Sequence, residues 1–484
     1  MGWVDVPWFA AEQYTVGRAV AQHGVAAVYA VAFVAVLHQF RPLLGEHGLL
    51  PVPAFVARVS WRRAPSLFHW RYSDRLLVVV GWTGLLVALT LVVGLPQRVA
   101  PWVPLLAFAV LWVLYLSVVN VGQVFYGFGW ESLLLEAGFL VAFLGSDEVA
   151  PPLPVLALLW WLVFRLELGA GLIKWRGDPV WRDLTALYYH HETQPMPGPL
   201  SRLFHLLPRP LHRVEVAANH VAQLVVPFFL LVPGRVASVA ACVVVVTQLW
   251  LVLSGNFAWL NWLTIVLACA AVDDRTWSWL LGVRIEPATS SAPGWFVVVA
   301  LVVTALCVVL SRHPARNLVS KHQVMNASYN VFHLVNTYGA FGSITRRRTE
   351  VVVEGTSDDE PSRATWREYE FHGKPGDVRR LPRQFAPYHL RLDWGMWFLG
   401  LGSSAQLRWF VPFLRRLLEA DPATLRLLRV DPFDGERPRW VRAHLYGYRY
   451  ARPAERRATG QRWVREDQGL LVDALDLDAV RHLR

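Results

Sequence analysis

Trp295-Phe-Val-Val-Val-Ala-Leu-Val-Val-Thr-Ala-Leu-Cys-Val-Val-Leu310, followed at once by Ser311-Arg-His-Pro-Ala-Arg316, is where the chain changes solvent. The apolar run has no polar face to turn toward water. Hydrocarbon offers backbone amides no partner, so such a run is stable there only as a helix that satisfies its own hydrogen bonds. Similar runs recur upstream to the start of the chain; downstream the sequence becomes charged and dense in arginine and aromatic residues. The 484 residues are 54% hydrophobic, with a mean hydropathy of +0.33, more apolar material than a soluble fold of this size hides. The expected fold is a polytopic α-helical membrane bundle over residues 1–311 and an interfacial linker over 312–337. A C-terminal mixed α/β domain with a β-sheet or β-sandwich core follows over 338–484.

Counting outward from that run, the candidate spans are 17–37, 76–95, 103–121, 133–144, 155–173, 216–232, 236–253, 260–272 and 295–310, about nine helices, of which 133–144 and 260–272 are short. Trp102, Trp160, Trp161, Trp175 and Trp259 stand near run ends, as amphipathic rings do at headgroup level. An odd count puts the termini on opposite faces. Arg58, Arg62, Arg63 and Arg71 in the first loop then oppose a cytosolic N-terminus by the positive-inside rule. Residues 1–20 carry Asp5 and Glu12 where a cleavable signal is basic, so the first helix is expected to be its own insertion signal.

The three cysteines, Cys242, Cys269 and Cys307, all lie inside apolar runs, which excludes a disulfide framework in the aqueous part. The net charge of +11 arises mostly beyond residue 311. Basic charge beside a bilayer answers anionic headgroups, so the partner expected is the lipid surface and no nucleic acid.

Ionisable side chains within apolar runs are the candidate site. Glu136 lies in one run, and Arg165, Glu167 and Lys174 punctuate another as Phe164-Arg-Leu-Glu-Leu-Gly-Ala-Gly-Leu-Ile-Lys174. A charge at the centre of a membrane helix costs about 2.5–3.5 kcal/mol, so several in neighbouring helices imply pairing or a wet cavity. Glu136 is expected to pair with Arg165. Arg165 and Glu167, two residues apart, face different partners. Gly169 and Gly171 leave a groove for close approach, and Lys174 at the run's end can snorkel to the interface. His190, His191 and Glu192 are adjacent rather than at helical ligand spacing, so no metal site is assigned. Tyr338-Gly-Ala-Phe-Gly-Ser lacks the Gly-Lys-Ser of a phosphate loop, and no cofactor is expected.

In the tail, 349–354, 365–371 and 440–450 alternate as strands, and 392–401 and 405–418 read as helices. Arg391, Asp393 and Trp394 put a charged pair beside a large aromatic. With Trp397 and Trp440 they are the candidate client-binding surface.

Several strings, in order and spanning nearly the whole chain, closely resemble the lipase maturation factor family: Gly129-Trp-Glu-Ser-Leu-Leu-Leu-Glu, Gly169-Ala-Gly-Leu-Ile-Lys, Asn336-Thr-Tyr-Gly-Ala-Phe-Gly-Ser-Ile-Thr, Pro387-Tyr-His-Leu-Arg-Leu-Asp-Trp-Gly-Met-Trp-Phe and Asp431-Pro-Phe. The resemblance implies a membrane-anchored factor that helps secreted clients such as lipases fold and assemble, with the tail extracytoplasmic. In animal relatives that membrane is the endoplasmic reticulum. Here the dominance of arginine over Lys174, Lys321 and Lys374 points to a bacterial cell membrane. Gly373 stands where animal relatives tend to carry a cysteine, so a redox role at that position is absent. The membrane half is also distantly similar to the vitamin K-dependent carboxylase group. That similarity implies an alternative: an integral-membrane enzyme acting on a lipid-like or membrane-held substrate, with Lys174 in the place of its lysine base and Glu136, Arg165 and Glu167 around it. A transporter is disfavoured, since no internal repeat is visible.

Overall fold

A computed structural model describes residues 2–286 and 291–482. Among them, six helices are long and apolar enough to cross a membrane. They are α1 (Thr15–Leu44), α2 (Asp74–Val92), α3 (Trp102–Val121), α5 (Leu153–Arg176), α10 (Arg235–Ser254) and α12 (Gly294–Leu310), the last continued by a further helical stretch to Val319. Their outer faces stay apolar and exposed, as at Val79, Trp82 and Leu86 on α2, Val239 and Val246 on α10, and Val298 and Val302 on α12. A band of that kind is stable only against lipid.

The three other expected spans, 133–144, 216–232 and 260–272, are not among these six. α4 (Gly129–Val141) has 13 residues, every one buried except Phe139. The run 216–232 breaks at Val225 into α8 (Arg209–Leu224) and the short α9 (Val226–Leu230), because Pro227 lacks an amide hydrogen and crowds the preceding turn. α11 (Leu260–Cys269) has 10 residues. At about 1.5 Å per residue α4 and α11 are shorter than the hydrocarbon core of a bilayer. Between α5 and α8 lie the short α6 (Leu187–Thr193) and α7 (Ser201–His205), separated by the proline-rich turn at Pro195, Pro197 and Pro199. Arg202 of α7 is buried and donates to the Ala451 carbonyl at 2.6 Å.

The N-terminus and the tail sit at opposite ends of the bundle. Strand β1 (Trp3–Asp5) pairs antiparallel with β2 (Ser291–Pro293) at the start of α12. Gln39, near the far end of α1, donates to the tail carbonyl of His389 at 2.6 Å.

The tail is built on one antiparallel sheet of order β4-β3-β5-β6, not a sandwich: β3 (Arg348–Thr356), β4 (Arg367–Glu368), β5 (Trp440–Tyr450) and β6 (Trp463–Leu475). The helices α13 (Arg391–Gly400) and α14 (Leu407–Leu418) lie against it. The apolar stripe of α14, with Trp409, Phe410, Phe413 and Leu417, is fully buried. Trp409 packs with its ring centre 5.6 Å from that of Phe125, which precedes α4, so bundle and tail share one hydrophobic core.

The α5 glycines fix how tightly the rest closes on that helix. At Gly171 a Cβ would stand 3.0 Å from the backbone oxygen of Gln223, so α8 packs backbone to backbone there. At Gly169 a Cβ would collide with the carbonyl oxygen of Tyr338, where the linker enters the bundle. Gly169→Ala is therefore expected to lower the thermal unfolding midpoint of the detergent-solubilised protein by several degrees. Gly127→Ala, whose Cβ would meet nothing closer than 3.6 Å, should leave it unchanged.

Candidate functional site

Helix α4 carries two buried glutamates on different faces, and each captures an arginine. Glu136 pairs with Arg165 of α5 through Oε1. Its other oxygen accepts the backbone N–H and the side-chain amide of Asn336, each at 2.9 Å, and the Tyr338 hydroxyl at 2.7 Å. Arg165 also donates to the Asn336 carbonyl at 2.5 Å. The expected Glu136–Arg165 pair is present in this geometry, closed from above by the linker. Four donors thus converge on the carboxylate, one on Oε1 and three on Oε2.

Glu131, one turn and a half earlier, pairs with Arg391 of α13 at 2.7 Å and takes the Tyr115 hydroxyl on its other oxygen. Arg391 also donates to the Phe125 carbonyl at 2.7 Å, and its guanidinium lies 3.4 Å from the centre of the Tyr126 ring. The expectation that Arg391, Asp393 and Trp394 shape an exposed client surface is corrected here. Arg391 and Asp393 are 0% and 1% exposed and Trp394 is buried among Phe128, Trp130 and Phe398. A guanidinium needs a counter-charge, and the nearest is Glu131 in the bundle rather than Asp393 beside it in sequence. Trp397 is half-buried, donating to the Thr193 carbonyl at 3.2 Å. Trp440 is half-buried at the start of β5, with its indole N–H 3.3 Å from the Asp359 carbonyl.

Asp393 turns inward to accept the Gly373 amide at 2.6 Å. Burial pushes its carboxyl up to about 6, against the lowering pull of that amide and of Lys374. Lys374 is itself buried in an ion pair with Glu350 at 2.5 Å, and burial pushes it down to about 8.

Glu167 and Lys174 belong to a different place from Glu136 and Arg165, so the expected four-residue cluster divides in two. Both sit on the wall of a cavity of about 550 Å³ between α5, α8, α10, α11 and residues 338–341. They are linked through Gln223, which accepts from Lys174 at 2.7 Å and donates to Glu167 at 3.1 Å. Gln248 donates to the other Glu167 oxygen at 2.7 Å and accepts from Asn261 at 2.7 Å, so a continuous polar thread runs along an otherwise apolar wall. Lys174 does not snorkel: it is buried, 5.3 Å from the Trp181 ring centre. The outer rim is formed by exposed Leu211, Val214, Val246 and Trp250, which opens the cavity toward the apolar face of the bundle. The wall is thus apolar over most of its area, with the polar groups gathered along one thread.

Sequence reasoning missed Glu131, Asn336 and Tyr338, whose partners are remote in the chain, and Gln223 and Gln248, whose uncharged amides raise no alarm in an apolar run. It also missed His212 and Glu215, an i, i+3 pair on α8 that shares a face with the cavity.

The family described as "Lipase maturation factor transmembrane domain" matches residues 16–279, and that described as "Lipase maturation factor C-terminal domain" matches residues 334–472. Lipase maturation factor 1 of Bos taurus is 41% identical over 93% of this chain and 87% of its own length. The Homo sapiens protein of the same name is 40% identical over 96% and 88%. Lipase maturation factor 2 of Gallus gallus is 31% identical over 91% and 79%. No solved structure matches the chain.

Glu136→Ala and Arg165→Ala each strand a buried charge and are expected to lower stability by about 3–5 kcal/mol. Joining them in one chain should cost less than the two separately, as a double-mutant cycle by thermal unfolding in detergent would read. Asp393 gives a pH signature. Its folded pKa lies above its ordinary value of 3.8, so its contribution is fully present below that value and is lost as pH rises through about 6. Between pH 4 and 7 the stability difference should move in favour of Asp393→Asn over the wild type by about 2 kcal/mol. A difference that stays constant with pH would refute the shift.

Proposed function

The chain belongs to the lipase maturation factor family, and on that footing we propose that it is a membrane-anchored maturation factor that helps secreted proteins such as lipases fold or assemble. The observation that carries this reading is the extent of the likeness: it runs through bundle and tail together, and the two halves interlock through Glu131–Arg391 and the shared core. The working unit is therefore the whole chain. We place the tail on the extracytoplasmic side of a bacterial cell membrane, where exported clients emerge. This holds against the charge of the first loop, whose Arg58, Arg62, Arg63 and Arg71 lie at the tail's end of the bundle and favour the cytosol. Of the aromatic side chains first assigned to client contact, Trp440 and Trp397 retain exposed surface, and Trp440 is the better placed, on the sheet.

The cavity favours a second reading. Its apolar rim and its buried Lys174, Gln223 and Glu167 suit an enzyme working on a lipid-like or membrane-held substrate, with Lys174 presenting its amine to the bound molecule.

Removing the protein from its native host is expected to reduce the activity of secreted lipase per unit of secreted enzyme several-fold, with restoration by the wild-type chain and partial restoration by Trp440→Ala at equal membrane abundance. Unchanged specific activity in the deletion strain, or labelling of a tag near Trp440 only from the cytosol, would sink the maturation reading. Normal function of Lys174→Ala and Glu167→Gln chains would remove the enzymatic one.

A further inference from the structure

At the edge of the cavity His191 of α6 and His212 and Glu215 of α8 converge, one ligand atom from each lying within 4.8 Å of the others. His191 Nε2 is 3.7 Å from Glu215 Oε1, and His212 Nδ1 is 3.7 Å from Glu215 Oε2. Those separations are too long for hydrogen bonds. They are close to the spacing of about 3.4 Å between two ligands held at about 2.1 Å around a tetrahedral ion.

Both ring nitrogens of His191, which is 1% exposed, lack a hydrogen-bond partner, as do His212 Nδ1 and Glu215 Oε2. Three side chains thus bring atoms without hydrogen-bond partners to one place. The surrounding contacts orient them for it. His212 Nε2 lies 3.3 Å from the His205 carbonyl, an acceptor only, so Nε2 carries the proton and Nδ1 presents its lone pair. Glu215 Oε1 accepts the Trp250 indole N–H at 2.6 Å, which fixes the carboxylate and leaves Oε2 free. A carbonyl-anchored histidine, as His212 is, beside a hydrogen-bonded carboxylate is the kind of outer shell that zinc sites use.

The geometry points to a divalent transition-metal site of the zinc type, held by His191, His212 and Glu215, with a fourth position open to the cavity. The open position follows from the lining, since His191 and Glu215 form part of the cavity wall on which Lys174 also sits. A metal there acts as a Lewis acid toward, or anchors, the polar end of whatever molecule occupies the cavity. The assignment rests on these side chains alone and stands or falls separately from the maturation role.

The test uses the full-length protein, purified in detergent through a tag without histidines. Elemental analysis is expected to find about one zinc or other first-row divalent ion per chain. After chelation, Co²⁺ titration of the wild type should produce the visible absorption of a low-symmetry tetrahedral site, reversed by Zn²⁺. His191→Ala and His212→Ala should each lose the bound ion, and His220→Ala, which changes a buried α8 histidine outside the cluster, should keep it. No ion in the wild type together with a silent Co²⁺ titration overturns the site. So does an ion retained by both His191→Ala and His212→Ala. The wild-type titration decides the matter even where a variant fails to fold.

Discussion

Two carboxylates that cannot stay alone in a low-dielectric interior, Glu131 and Glu136, decide how this molecule is put together. They share a helix too short to cross a bilayer, and each reaches outside its neighbourhood for a positive charge: one to α5, the other 260 positions along the chain to the tail. A buried ion pair adds little stability over a well-packed apolar pair, but removing one partner is expensive. What such pairs select is arrangement. With both satisfied, α4 has one position, the linker has one path past Gly169, and α13 has one seat on the bundle. The tail is for this reason not a soluble appendage on a stalk.

That fixed frame gives the cavity its character. Its walls come from helices with no reason to be polar, yet they carry an unbroken thread of amides, one carboxylate and one ammonium group. Burying so many polar groups is tolerated because each finds a partner among the others. The cluster at the edge is different, because its lone pairs find none. The contrast between a wall that satisfies itself and a corner that does not separates scaffold from site here.

Much of this was legible in the sequence, for physical reasons that also explain the rest. Long apolar runs have one stable form in hydrocarbon, so α1, α2, α3, α5, α10 and α12 announce themselves, and Glu136 with Arg165 follows from the cost of leaving either alone. Strand β5 is read correctly because its alternation reflects two different faces. Strand β6 was missed because it lies at the sheet edge, where Glu466, Asp467 and Gln468 are exposed and no apolar face is imposed. Arg391 was misread as surface because its counter-charge lies in another half of the molecule. His212 and Glu215 were passed over because His191, the third member, comes from a helix on the other side of a proline turn.

The path of residues 336–338 into the bundle has a consequence for biosynthesis. The helices bearing Glu136 and Arg165 leave the ribosome long before Asn336 and Tyr338 exist, so the seal over their charges is the product of late translation. A nascent chain halted anywhere before that point holds an open, hydratable seam in the lipid.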